Sequence, residues 1–289
     1  MYTLSVSGCY AAAPTICGRA KTNVYLIDEP LEGGIKGGDR TVGQDSRLLL
    51  DGCHAKDPDE PTAQCNAAGE CGTLRFLWWC VPVNGDAACP SEAPAETACS
   101  WSVAAGTLPP GNYSFSVSVS DSANSASASV NASVAVAVLA GALPSVIIAE
   151  LASPKPPPSK ELRLAAVASM EGQPDALLTY QWSVQSAVDG SASYSVDLAD
   201  TSAVTTTGNG RPNLVLQPNA LRAGGHYTFT FAASYQGRAA STSLTVNMNS
   251  APYGGSMKLS PDGPYTAVTS ELTLTAVQWT DDETDLPLE

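Results

Sequence analysis

The sequence predicts an all-β chain: two antiparallel β-sandwiches in tandem, the first disulfide-rich, followed by the start of a third unit. Three observations carry this. Apolar residues recur with period two in short runs, the pattern of strands with one buried face. Gly, Pro, Asn and Asp break those runs, and no convincing helix of any length intervenes. Finally, Cys9, Cys17, Cys53, Cys65, Cys71, Cys80, Cys89 and Cys99 all lie in the first hundred of 289 residues, the mark of a disulfide framework confined to one module.

In the first unit (1–140, with an N-terminal extension), Tyr113, Phe115, Val117 and Val119 alternate with Ser114, Ser116, Ser118 and Ser120. Ala126, Ala128, Val130, Ala132, Val134 and Val136 alternate with Ser127, Ser129, Asn131, Ser133 and Ala135. Apolar side chains on one parity and hydroxyls on the other describe strands with a core side and a solvent side. Two glycosylation sequons, Asn112-Tyr-Ser114 and Asn131-Ala-Ser133, place their asparagines on the solvent parity, where a glycan has room. Either Trp78 or Trp79 faces the core.

Residues 141–158 form a linker and lead-in strand; Pro154, Pro156, Pro157 and Pro158 make it extended and semi-rigid. The second unit (159–249) has no cysteine. Its strands are Leu162–Leu164, Leu178–Val184, a run in which Tyr227, Phe229 and Phe231 alternate with threonines, and Leu244, Val246, Met248. Both units place a core tryptophan well before a turn that ends in tyrosine: Leu108-Pro-Pro-Gly-Asn-Tyr113-Ser-Phe115 and Leu221-Arg-Ala-Gly-Gly-His-Tyr227-Thr-Phe229. Such a tyrosine corner belongs to sandwich folds. An immunoglobulin domain would have a cysteine where Phe115 and Phe229 stand, so a fibronectin-III-like or PKD-like sandwich fits better. Residues 250–289 read as the start of a truncated third repeat with one strand.

The run Ile35-Lys-Gly-Gly-Asp-Arg40, Leu48-Leu-Leu-Asp51, Asp57-Pro-Asp59 and Leu74-Arg-Phe-Leu-Trp-Trp-Cys80 resembles the opening of a REJ (receptor for egg jelly) module of polycystins and sperm surface receptors. Asn249-Ser-Ala-Pro252-Tyr-Gly-Gly255, Ser260-Pro261, Trp279-Thr-Asp281 and Leu286-Pro287-Leu288 are similar to a later repeat of that region. The later repeat often carries cysteines, and here Met257 and Thr275 stand in that neighbourhood. The resemblance implies fibronectin-III-like domains in the ectodomain of a large membrane protein, at the plasma or ciliary membrane.

Chemistry of catalysis is not legible. The formal charge of -14 repels phosphates and anionic headgroups, which disfavours nucleic acid and membrane surfaces. The apolar stretch Val134–Ala149 is interrupted and too short to span a bilayer, so the segment inserts into no membrane directly. Residues 1–8 have no signal-peptide pattern, as in an excised fragment. His54 and His226 are the only histidines; His226 reads as an exposed edge residue. There is no nucleophile elbow or phosphate loop, and the loose cysteine spacings do not fit zinc. No cofactor is expected. Asp51, Asp57, Asp59 and Glu60 gather carboxylates that calcium would use, although Asp57-Pro-Asp59 also reads as a turn. Asp281, Asp282 and Glu283 read as a solvated turn. The expected function is adhesion, ligand binding or mechanical spacing, its partners being other domains of the parent membrane protein and a protein or glycan ligand. A carbohydrate-binding accessory module of a secreted protein is the alternative, weakened because the aromatics fall on core parities.

Overall fold

A computed structural model describes residues 2–281, apart from 11–12, 25–29, 61, 67, 84–87, 124–128, 152, 171–172, 174–176, 188–194, 261–262, 264–265 and 267–271, with residues 9–10, 13–16 and 187 described by backbone alone. The described residues are strand and loop, and no helix among them is long and apolar enough to cross a membrane.

The first sandwich is built from β3 (Arg40–Gly43), β4 (Leu48–Asp51), β5 (Leu74–Pro82), β6 (Ser100–Val103), β7 (Gly111–Asp121) and β8 (Val130–Leu139). β4 pairs with β6, while β5, β7, β8 and β3 lie side by side in the opposing sheet. Alternation decides what each strand buries. Leu48 and Leu50 go inward while Leu49 stays exposed; Phe76 and Trp78 go inward while Leu77 and Trp79 do not. The two sheets meet through rings: Trp101 of β6 packs edge-on against Phe115 of β7 at 5.3 Å and Trp78 of β5 at 6.4 Å. Each fully buried side chain of this size contributes about 1.5–3 kcal/mol.

The second sandwich repeats the plan with β9 (Ser145–Ile148), β10 (Leu162–Ser169), β11 (Thr179–Ala187), β12 (Asn213–Leu216), β13 (His226–Tyr235) and β14 (Arg238–Asn247). β12, β10 and β9 form one sheet; β11, β13 and β14 form the other. Leu164, Leu214 and Leu216 face Trp182, Phe229 and Phe231, and Trp182 packs on Phe231 at 4.9 Å. β13 and β14 are joined by Gln236 and Gly237, both with positive φ. That is the two-residue turn whose twist matches a hairpin.

Two details recur in both sandwiches. Trp78 Nε1 donates to the Ala98 carbonyl (3.0 Å) and Trp182 Nε1 to the Arg211 carbonyl (2.9 Å), each two residues ahead of a short strand of the opposite sheet. A buried indole N–H needs such a partner. Tyr113 donates its hydroxyl to the Pro109 carbonyl (2.7 Å), whereas the Tyr227 hydroxyl accepts the Arg222 N–H (2.9 Å). Both corner tyrosines are fully buried.

Disulfides staple the first sandwich where strands are short. Cys53–Cys99 links the end of β4 to the approach to β6, Cys65–Cys71 closes a small loop, and Cys80–Cys89 anchors the segment after β5. Cys17 is also disulfide-bonded, and in the backbone register it lies opposite Cys9. These two belong to a separate hairpin of β1 (Tyr2–Tyr10) and β2 (Ala13–Val24), not to the sandwich.

The two sandwiches share a sheet. β3 runs parallel to β8 on one side and antiparallel to β14 on the other, so the seven strands β11-β13-β14-β3-β8-β7-β5 are continuous. An isolated β3 would leave one edge unpaired; β14 fills it. The proline-rich segment is likewise tied down: the Pro158 carbonyl accepts the Asn219 N–H (2.7 Å) and the Pro156 carbonyl the Asn249 N–H (3.1 Å). Beyond β14, β15 (Ser256–Ser260) and β16 (Thr273–Val277) make a two-stranded ribbon where one strand was expected, with a bridge at Tyr253–Thr280. Residues 126–128 of the expected strand, Pro261, Asp282, Glu283 and 286–288 lie outside the described residues, as does the side chain of Cys9.

Candidate interaction surfaces

Three surface features follow from this arrangement: the junction of the sandwiches, a groove beside it, and the outer face of the first sandwich. The junction begins at Lys36-Gly-Gly-Asp-Arg40. Gly37 and Gly38 both have positive φ, 81° and 49°. They turn the chain so that the Gly37 carbonyl accepts the Thr242 hydroxyl (2.6 Å) and the Ser243 N–H (3.2 Å), while the Ser243 hydroxyl donates to the Asp39 carbonyl (3.0 Å). A Cβ on Gly38 would lie 2.6 Å from Ser243 Oγ, so only glycine permits this approach. Thr41 pairs with Ser241 and Arg40 with Thr242.

Arg40 organises the same turn. Its guanidinium donates to the carbonyls of Gly38 (3.1 Å), Leu49 (3.0 Å) and Lys36. Arg238 donates across the junction to the Ala140 carbonyl, and Lys36 pairs with Glu150 of the second sandwich and with Asp51 of the first. Those last pairs are partly solvated and add little. The backbone pairing and the hydroxyl bonds hold the joint.

Beside the junction lies a groove of about 460 Å³ whose walls come from both sandwiches, among them Thr41, Asn112, Gln185, Thr228, Thr230 and Ser241. Its walls mix hydroxyl and amide groups with apolar surface from Val83, Ala135, Val136 and Ala137. Asn112 and Asn131 are both exposed on the outer face of β7 and β8.

Three of the four acidic candidates hold local bonds through their carboxylates. The Asp51 carboxylate accepts the Cys53 N–H (2.8 Å), Asp57 is buried and accepts the Asp59 N–H (3.0 Å), and Glu60 accepts the Thr62 hydroxyl (2.7 Å). These are turn bonds, in which a carboxylate caps its own backbone. Among the described residues no three carboxylates converge; the ligand atoms that do converge are those of Cys65, Cys71 and Cys99, all in disulfides.

Two expectations need correction, and an open alternative is resolved. Asp281 is buried, not solvated. His226 is exposed, but its strand β13 lies between β11 and β14, so it is not an edge residue; its Nδ1 meets Asn247 Oδ1 at 2.7 Å. Of the paired tryptophans, Trp78 is buried and Trp79 is half exposed. His54 lies in the other sandwich, its pKa held below the ordinary 6.5 chiefly by desolvation and then by the Lys36 charge. The junction went unread in the sequence. Ser243, on the outward parity of β14, reads as a solvated hydroxyl, and only the fold buries it.

The REJ domain family model matches residues 1–289. No curated protein matches the chain. Among solved structures, Drosophila N-cadherin EC1-4 is 12% identical, with 95% of this chain and 67% of that chain covered and a TM-score of 0.32. Extracellular domains 3-5 of Drosophila OTK are 11% identical, with 76% of this chain and 61% of that chain covered and a TM-score of 0.25. The fibronectin(III)-like modules of Clostridium thermocellum CbhA are 16% identical, with 76% and 93% covered and a TM-score of 0.24.

Proposed function

Because the chain belongs to the REJ domain family, we propose that it is a non-catalytic extracellular segment of a polycystin-like membrane receptor, acting as a stiff spacer in the ectodomain. The shared seven-stranded sheet carries this reading. Domains in a chain move relative to one another unless their interface restrains them. Here ladder hydrogen bonds, two buried hydroxyl residues and a glycine turn restrain it, so the sandwiches turn together. Three disulfides in one sandwich suit the oxidising environment outside the cell. Among the described residues, His226 Nδ1 meets the Asn247 amide, whereas acyl-transfer chemistry needs a nucleophile beside its base.

The test is small-angle X-ray scattering of the whole chain beside Gly38→Val, which drives a side chain into Ser243. The native chain should give one narrow distribution of interatomic distances, and the variant a broader and longer one. A native chain as broad as the variant refutes the spacer reading.

The hydroxyl-lined groove favours one second reading, a carbohydrate-binding accessory module. Capture of a defined polysaccharide on a glycan array, lost in Gln185→Ala and Thr230→Ala, would support that reading over the spacer.

A further inference from the structure

β5 ends the seven-stranded sheet. Past Arg75 its outward row is apolar, and Val83, just beyond the strand, continues it: Leu77, Trp79, Val81 and Val83 are 58, 38, 50 and 59% exposed. No charged residue falls between Arg75 and Val83. An exposed, uncharged, apolar strand at a sheet edge invites pairing with another chain, and proteins manage such edges with charges, bulges or covers. The described residues supply little cover: the Glu96 carbonyl takes the Phe76 N–H (2.7 Å), and the disulfide to Cys89 holds Cys80.

Both sequons share this outer face. In the ladder, Leu77 lies opposite Ser118 and Ser118 opposite Asn131. At the other end the Val83 N–H donates to the Asn112 carbonyl (2.8 Å), and Asn112 lies opposite Ala137. Asn131 and Asn112 therefore stand at the two ends of the stripe, their rows about 20 Å apart along the strands. Between them the floor is small: Ser114, Ser116, Ser133 and Ala135. Ser116 and Ser133 bond to each other at 2.7 Å and so ask nothing of a neighbour. Toward β5 the row of Asn131 runs over Ser118 to Leu77, and the row beside Asn112 runs over Ser114 to Val81, so serines lie between each sequon and the stripe. Pyranose rings have C–H faces that pack on apolar and aromatic surfaces while their hydroxyls stay in water.

We propose that N-glycans on Asn112 and Asn131 lie over the β5 stripe and cover the edge of the sheet, keeping the segment monomeric. The inference rests on the extracellular reading only in needing passage through a glycosylating compartment.

The whole chain, secreted from a cell line that adds only high-mannose glycans, is compared before and after native trimming to a single N-acetylglucosamine. Mass spectrometry first reads occupancy of both sequons; empty sequons overturn the proposal while leaving the spacer reading intact. Expected is a monomer when glycosylated, and after trimming several-fold more binding of a hydrophobic dye with dimers or larger species in sedimentation velocity. Trp79→Ser with Val81→Thr, both outward, should abolish that gain. Trimming that changes neither signal, or a gain that persists in the double variant, refutes it.

Discussion

Gly225→Ala should destabilise the second sandwich, although replacing glycine usually does the opposite. The added Cβ would lie 2.7 Å from Tyr227 Cε2 and 2.9 Å from its hydroxyl. The Gly225 backbone is not left-handed, so the unfolded-state term alone favours alanine by about 0.4–1 kcal/mol. Against it stands overpacking. The Tyr227 ring is fully buried and tilted against Phe229 at 6.5 Å, so it has nowhere to retreat, and such insertions cost about 1–3 kcal/mol. Displacing the ring also breaks the Arg222 N–H bond to its hydroxyl, worth about 1 kcal/mol. The net is a loss of about 2 kcal/mol. Hydrogen exchange reads this strand by strand: β13 amides should exchange about 30-fold faster, while β7 amides in the first sandwich keep their rate. Unchanged or slower exchange in β13 would refute the packing argument, and equal acceleration in β7 would refute the independence of the two cores.

Cys53→Ala with Cys99→Ala frees a loop of 46 residues, and the chain-entropy relation gives a loss of about 4 kcal/mol; urea unfolding of the first sandwich measures it. Arg40→Met removes three bonds to carbonyls, each charge-assisted and worth about 1.5–3 kcal/mol before non-additivity; the first sandwich should melt earlier and the scattering profile broaden, and Arg40→Lys, with one ammonium for three acceptors, should recover only part. His54 has a folded pKa below its ordinary 6.5, so the unfolded chain binds more protons and stability falls as pH drops through 6.5 toward the folded pKa, then flattens. His54→Gln should remove that portion of the thermal-midpoint curve between pH 7.5 and 5, and an unchanged curve would show that other groups carry it.

Period-two alternation made much of the fold legible. Tyr113, Phe115, Val117 and Val119 are all buried, as are Tyr227, Phe229 and Phe231. The corner tyrosines could be read because their partner is local, a carbonyl or amide four or five residues away. Trp78 and Trp79 could not be told apart, since both neighbours on the strand are apolar; the outward apolar row that hid the answer is the stripe later inferred to lie under glycans. Asp57-Pro-Asp59 was legible as a turn for the same local reason, the Asp57 carboxylate capping the backbone two residues on.

Whatever depends on neighbours in sequence was therefore determined by the sequence itself: the faces of strands where apolar and polar residues alternate, their core aromatics, turns and the outward place of Asn112 and Asn131. Only the tertiary structure decided which cysteines pair, because spacing does not say which loops return to which strand. It alone also decided that the two sandwiches share a sheet. Gly37 and Thr242 are 205 residues apart, and a ladder of two backbone pairs between β3 and β14 leaves almost no trace in composition. Backbone hydrogen bonds use groups every residue has, so the contact between the sandwiches is written in no residue type except the glycines that let the strands meet.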